Sequence, residues 1–284
     1  MGVWANPDHF TAVFRLTTSE YADNFIDKGS IKFNAPQSWI DYSLKYGNGR
    51  GDRYEGTIAF CNIFDYERVI ELNQKYNSDC IINTKMRPLA KEVIGQRLFL
   101  KDKRSLQLPC FCFYIMKQSL FSCPDSAGKH RVSAHIPASY FRDFSDNLSP
   151  VDIEKRPLKD QPALIIISNF DEFKIKLYKT LKAIGLEETE ILIGNVSYFD
   201  FEAYGNDGWM DFGQMYPYEL LVKNIIFKEQ SEARIIIKTK KSIIIQRLHD
   251  GPIELGCMKD IAQVHKGYLH GGIRVEMNID MHEE

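Results

Sequence analysis

Short runs of β-branched and aromatic residues recur along most of this chain, and they constrain its fold more than any other feature. TAVFRLT at 11–17 and HRVSAHIP at 130–137 alternate between polar and apolar positions. TIAFCNIF at 57–64, LPCFCFYIM at 108–116 and ALIIIS at 163–168 are apolar almost throughout. Alternation marks a strand with one covered face; a short apolar run between turns fits one covered on both. SIKFNAP, ETEILIGNVSYFDF, EARIIIKT, SIIIQRL and IRVEMNID extend the series, with a hairpin expected across Lys240-Lys241.

Helical patterns are fewer. SEYADNFIDKG carries Tyr21, Ala22, Phe25 and Ile26 on one face, follows a capping box from Thr17 and Glu20, and stops at Gly29. A second helix is expected around Trp39 and Ile40. The strongest pattern is NFDEFKIKLYKTLKAIG, where Phe170, Phe173, Leu177, Leu181 and Ile184 recur at steps of three and four. Ser168 or Asn169 caps it and Gly185 closes it. Residues 65–105 read as polar and weakly helical. Regular βαβ alternation is absent. The pattern therefore predicts an α+β fold with mainly antiparallel, split β-sheets and peripheral helices. It reads as a single domain over 1–284, with 149–162 the only boundary candidate.

With 44% apolar residues among 284, the chain has enough to build a sizeable core. Acids and bases are interspersed and the net charge is −2, so there is no bulk basic footprint for nucleic acid. No apolar run nears the roughly 20 residues of a membrane helix. MGVWANPDHF lacks the charged and apolar regions of a signal peptide. The six cysteines, Cys61, Cys80, Cys110, Cys112, Cys123 and Cys257, show no zinc half-site spacing. They read as buried free thiols in a reducing cytoplasm, and no metal site is expected. His130 and His135 point to opposite sides of a strand, and His265 and His270 flank Gly267 in a loop.

Three stretches carry the residues for chemistry. Arg15 sits in an otherwise apolar strand, sharing a face with Val13 and Thr17; it lies at a rim or grips an anion. GNGRGDRYEG at 47–56 holds four glycines with Arg50, Asp52, Arg53 and Glu55 among them. It either lets backbone approach a ligand closely or is a solvated loop. In KEQSEARIII at 228–237, an extended backbone puts Gln230, Glu232 and Arg234 on one face, Gln230 and Glu232 about 7 Å apart. Ala233, Ile235 and Ile237 then face the core. The open face is a wet strand edge, or a cleft where Glu232 stabilises developing positive charge while Gln230 orients a nucleophile.

A strand-borne arginine near the N-terminus and a Gln-x-Glu on a late strand resemble the signatures of the mono-ADP-ribosyltransferase superfamily. GSIKFNAPQSWID followed by GDRYEG, then PCFCFY, then KEQSEARIII is similar, in the same order, to the pattern of a bacterial family met in abortive-infection and toxin contexts. The resemblance implies an ADP-ribosyltransferase-like fold and NAD as co-substrate. Glu232 would hold the nicotinamide-ribose 2′-hydroxyl and Gln230 would steer the acceptor. Arg15 and Thr17, with Arg50 and Arg53 from the glycine loop, would hold the cofactor. The implied protein is a toxin or phage-defence effector that moves ADP-ribose to a protein or nucleic-acid acceptor, with an antitoxin or phage protein as a further partner. The alternative is a non-catalytic sensor or binding module on the same scaffold. SAGKHRVSAHIP stands where the family carries Met-Trp-x-x-Tyr, and the superfamily's middle Ser-Thr-Ser strand, part of the nicotinamide pocket, is not recognisable; that missing middle motif favours the alternative.

Overall fold

The computed structural model describes residues 12–46, 51–65, 67, 89–116, 121–122, 131–136, 150–202, 216–267 and 273–278. In chain order the regular elements begin with β1 (Ala12–Thr18), α1 (Ser19–Lys28), β2 (Ser30–Ile31), α2 (Pro36–Tyr46), β3 (Thr57–Asn62), β4 (Leu89–Ile94) and β5 (Arg97–Asp102). Next come β6 (Cys110–Met116), β7 (Phe121–Ser122), β8 (Arg131–Ile136), α3 (Pro150–Glu154), β9 (Pro162–Ile167), α4 (Phe170–Ala183) and β10 (Ile191–Asn195). The last are β11 (Ser197–Phe199), β12 (Val222–Asn224), β13 (Glu232–Ile237), α5 (Ser242–Asp250), β14 (Ile253–Glu254), β15 (Ala262–Lys266) and β16 (Ile273–Asn278).

The strands form a mixed α+β fold, mainly antiparallel. A six-stranded sheet runs β10-β13-β6-β1-β9-β15, every pairing antiparallel. Smaller sheets are β3-β5-β4, β16-β8-β7, the parallel pair β11-β12 and the pair β14-β2. The most apolar run, CFCFYIM, becomes β6 in the middle of the large sheet, as an element covered on both faces must.

Register decides which side chains share a face, because directly paired residues of an antiparallel ladder point the same way. Val13, Phe111, Phe113, Ile165, Ala233 and Ile235 form one face. Phe25 of α1, Phe173, Leu177 and Leu181 of α4, and Leu248 of α5 cover it. Each such side chain contributes about 1.5–3 kcal/mol on burial. On the other face Cys110, Leu192 and Ile236 meet Leu108, Leu220 and Leu221, with Trp39 of α2 alongside. Beside this layer Tyr54, Phe60, Phe99, Phe199 and Phe201 pack edge-to-face and stacked, joining the β3-β5-β4 sheet to β11.

The two main helices end as their sequences direct. Gly29, at φ 64°, closes α1 and donates to the Phe25 carbonyl at 2.8 Å. The Asn169 side chain caps α4 by accepting from the Glu172 amide at 3.0 Å. The capping box before α1 does not form: Thr18 is the N-cap residue and makes no side-chain cap bond. SIIIQRL is a helix, not a strand. Ile244 and Leu248, four apart, are buried while Ile243 is exposed, so the amphipathic face outweighs β-branching. Residues 89–102, expected within a weakly helical region, are a β-hairpin turning on Gly95 at φ 62°. Its charged residues hide the strand signal, yet Lys101 and Asp102 are buried.

His265 belongs to β15 and is exposed, not in a loop. His130 and His270 lie outside the described residues. Cys61 and Cys110 are buried free thiols, Cys112 is half-buried, and Cys257 is exposed, against expectation; Cys80 and Cys123 lie outside the described residues. Among the described residues no helix is long and apolar enough to cross a membrane.

Candidate functional site

The strand β13 opens on Glu232, and Ser231 before it turns the chain in the left-handed region at φ 40°. Gln230 therefore ends a 3-10 helix, Ile225–Gln230, and is not on the strand as expected. Glu232 and Arg234 do share one face, but it is an interior face. Both are buried, Arg234 completely.

Around Arg234 the chain assembles a network of buried charge. Its Nη1 donates to Glu55 Oε1, and Nη2 donates to Glu55 Oε2 at 3.0 Å. Nη1 also donates to the Leu220 carbonyl at 2.6 Å, and Nε donates to Glu232 Oε1 at 2.5 Å. The Trp39 ring lies 4.8 Å from the guanidinium carbon. Lys223 of β12 completes the network: its Nζ donates to Glu232 Oε2 and to Gln230 Oε1, each at 2.7 Å. The Glu232 amide donates to the Tyr198 hydroxyl at 2.7 Å. Asp52 braces the loop by accepting from the Tyr54 amide at 2.9 Å and the Asn224 amide at 3.0 Å. GDRYEG and EARIII, far apart in the chain, thus meet through Glu55 and Arg234.

The two carboxyls on this one guanidinium titrate apart. Burial pushes Glu55 up to about 7, with Arg234 opposing. Burial also acts to raise Glu232, but the charges of Arg234 and Lys223 outweigh it and hold this carboxyl at about 2. Burial raises the Cys110 and Cys112 thiols well above the ordinary range. They are held as neutral thiols, not as nucleophilic thiolates.

Arg15 lies elsewhere. Phe14 pairs with Tyr114 and Tyr114 with Glu232, so these three side chains form one row on one face. Arg15 pairs with Ile165 on the opposite face. The expectation that Arg15 and Glu232 look into one hollow is corrected: the sheet separates them. A dinucleotide lying on one face reaches one of these side chains, not both. Arg15 Nη1 donates to the Cys112 carbonyl, and its guanidinium carbon sits 4.1 Å from the Phe111 ring centroid. Thr17 shares a cavity of about 240 Å³ with Arg15.

Arg53 belongs to neither place. Its Nε donates to Glu92 Oε1 at 2.6 Å and its Nη2 to the Val93 carbonyl at 3.3 Å, fastening the loop to β4. Arg50 lies outside the described residues. Comparison with protein-family models, curated proteins and solved structures finds no match to this chain.

The sequence reading missed Lys223 and Tyr198, and it gave Glu55 no partner. A buried glutamate in a glycine-rich loop has no periodic signature. The available signal was charge on a strand otherwise apolar, because a cation in EARIII demands an anion from elsewhere.

Proposed function

We propose that this chain is a non-catalytic binding or sensor module in which the Glu55–Arg234–Glu232–Lys223 network is a structural clamp. One observation carries this reading: Arg15 and Glu232 stand on opposite faces of the central sheet. The state of Glu232 supports it. Each carboxylate oxygen accepts from a buried cation, Lys223 on one side and Arg234 on the other, so its charge is already committed within the protein. The test incubates the intact protein with labelled NAD and cell extract. No Glu232-dependent label transfer or nicotinamide release is expected. Glu232→Gln lowers stability instead. Transfer that disappears in a folded Glu232→Gln protein overturns the reading.

One observation favours the second reading, NAD-dependent ADP-ribosyl transfer to a protein or nucleic-acid acceptor by a toxin or phage-defence effector. Gln230 and Glu232 converge on the same Lys223 ammonium, so the amide and carboxylate of the resemblance do stand together. On that reading Glu232 holds the ribose hydroxyl with no help from Arg15. The same NAD incubation separates the two.

A further inference from the structure

We infer that the hollow on the Arg15 side of the central sheet binds a small organic anion, a carboxylate or phosphate carried on an apolar or aromatic body. The inference rests on the binding-module reading and names the class of ligand for it.

The hollow arises from how the chain leaves α1. Gly29 turns it in the left-handed region, and β2 then pairs with β14. Residues 30–34 pass back over the sheet and are tied to β6 where Asn34 and Cys110 exchange backbone bonds at 2.8 and 2.9 Å. A space of about 240 Å³ remains between this segment, α1 and the sheet.

Its lining is asymmetric in charge. Arg15 and Lys32 face it, with Thr17 and Asn34 as neutral polar groups and Phe25 and Phe111 as apolar wall. No Asp or Glu is among the described residues that line it. Arg15 is held against Phe111 and anchored on the Cys112 carbonyl, so its planar fork is fixed before a ligand arrives. Guanidinium forks match carboxylate and phosphate oxygens, and the Phe25 and Phe111 rings offer an apolar face for the body of the ligand. Lys32 is exposed, so its charge attracts an anion at the rim. The volume is below the roughly 300–1,000 Å³ of pockets for drug-sized ligands. It accommodates one anionic head with about one ring, not a dinucleotide.

The test titrates the intact chain calorimetrically with benzoate, phenyl phosphate, inorganic phosphate and the neutral benzyl alcohol. Benzoate or phenyl phosphate is expected to bind, more tightly than benzyl alcohol, and the better of the two tells carboxylate from phosphate. Arg15→Gln weakens that binding about tenfold or more, as loss of a charged hydrogen bond does. Lys32→Gln, at the exposed rim, keeps the fold and weakens it several-fold; it decides the matter if Arg15→Gln does not fold. The inference is overturned if neither ring-bearing anion binds, if benzyl alcohol binds equally well, or if binding survives unchanged in folded variants. Anion binding together with Glu232-dependent transfer from NAD sinks the binding-module reading but keeps the site. Absence of both sinks the site alone.

Discussion

Arg234 and Glu55, 179 positions apart in the chain, form a two-pronged ion pair with both side chains buried. The pair fixes the 51–56 loop against the third residue of β13, and so fixes the smaller β3-β5-β4 sheet relative to the large one. Ion pairs of this kind add little net stability over apolar packing, yet they are costly to break on one side. Arg234→Met removes the cation that pairs with Glu55 and leaves Glu232 with Lys223 alone. It is expected to cost on the order of 3–5 kcal/mol by urea unfolding. Adding Glu55→Leu to Arg234→Met restores part of that loss. If the double variant is as unstable as the sum of the singles, the two residues are not coupled.

Stability should pass through a maximum with pH, and the two acids on Arg234 set its limbs. Glu232 falls from an ordinary 4.5 to about 2, so its contribution is present above 4.5 and is lost as pH drops towards 2. Glu190, also held at about 2, loses its contribution over the same window. Burial only opposes this. The Glu187 amide, Lys241 and Thr239 bring Glu190 down. Glu55 behaves oppositely. Raised to about 7, it favours the folded state fully below 4.5 and loses that contribution as pH rises through 7. Each of the two shifts on Arg234 corresponds to on the order of 3 kcal/mol. Chemical unfolding followed from pH 2 to 8 should peak between the limbs. Glu55→Gln should flatten the fall between 4.5 and 7 and leave the acid limb in place.

The fold was legible where local signals agree. LPCFCFYIM became the middle strand, and NFDEFKIKLYKTLKAIG became α4 with its Asn169 cap. It was misread where two signals compete. SIIIQRL has the composition of a strand and the periodicity of a helix, and tertiary packing of Ile244 and Leu248 decided in favour of the helix. KEVIGQRLFLKD carries so much charge that its hairpin was hidden. The structure buries Lys101 by giving it the Glu92 carboxylate at 2.5 Å. At the candidate site, alternation along β13 correctly put Glu232 and Arg234 on one face. It did not reveal that this face is interior, or that Arg15 is on the other, because both facts depend on how β6 pairs with β1 and β13.

Phe99 joins two layers by touching Tyr54, Phe60 and Phe201, with ring centroids 5.1, 5.6 and 6.1 Å away. It is buried, so Phe99→Ala leaves a cavity that these rings cannot fill without leaving their stacked and edge-on geometry. The expected loss is about 3–5 kcal/mol in thermal or urea unfolding. Phe99→Leu should recover more than half of it. Equal losses for both variants would mean that ring geometry matters more than volume.

Gly29 and Ser231 make opposite predictions from the same backbone region. At Gly29 a Cβ would stand 2.4 Å from the Gly256 carbonyl oxygen, and φ is already left-handed at 64°. Gly29→Ala therefore meets backbone strain of roughly 1–2 kcal/mol plus a clash with backbone that side-chain rotation does not relieve. It should also weaken the 30–34 segment that roofs the Arg15 hollow, because the Leu255 amide donates to the Gly29 carbonyl at 3.1 Å. Ser231 already bears a side chain at φ 40°, ψ 52°, and its carbonyl accepts from the Ile115 amide at 2.8 Å. Ser231→Gly keeps that bond and removes the left-handed penalty, against a backbone entropy cost of about 0.5–1 kcal/mol for glycine. The net expectation is a gain of up to about 1 kcal/mol, read as a higher unfolding midpoint. A clear loss at Ser231→Gly would show that its hydroxyl, not its backbone, sets how Gln230 and Glu232 are brought together on Lys223.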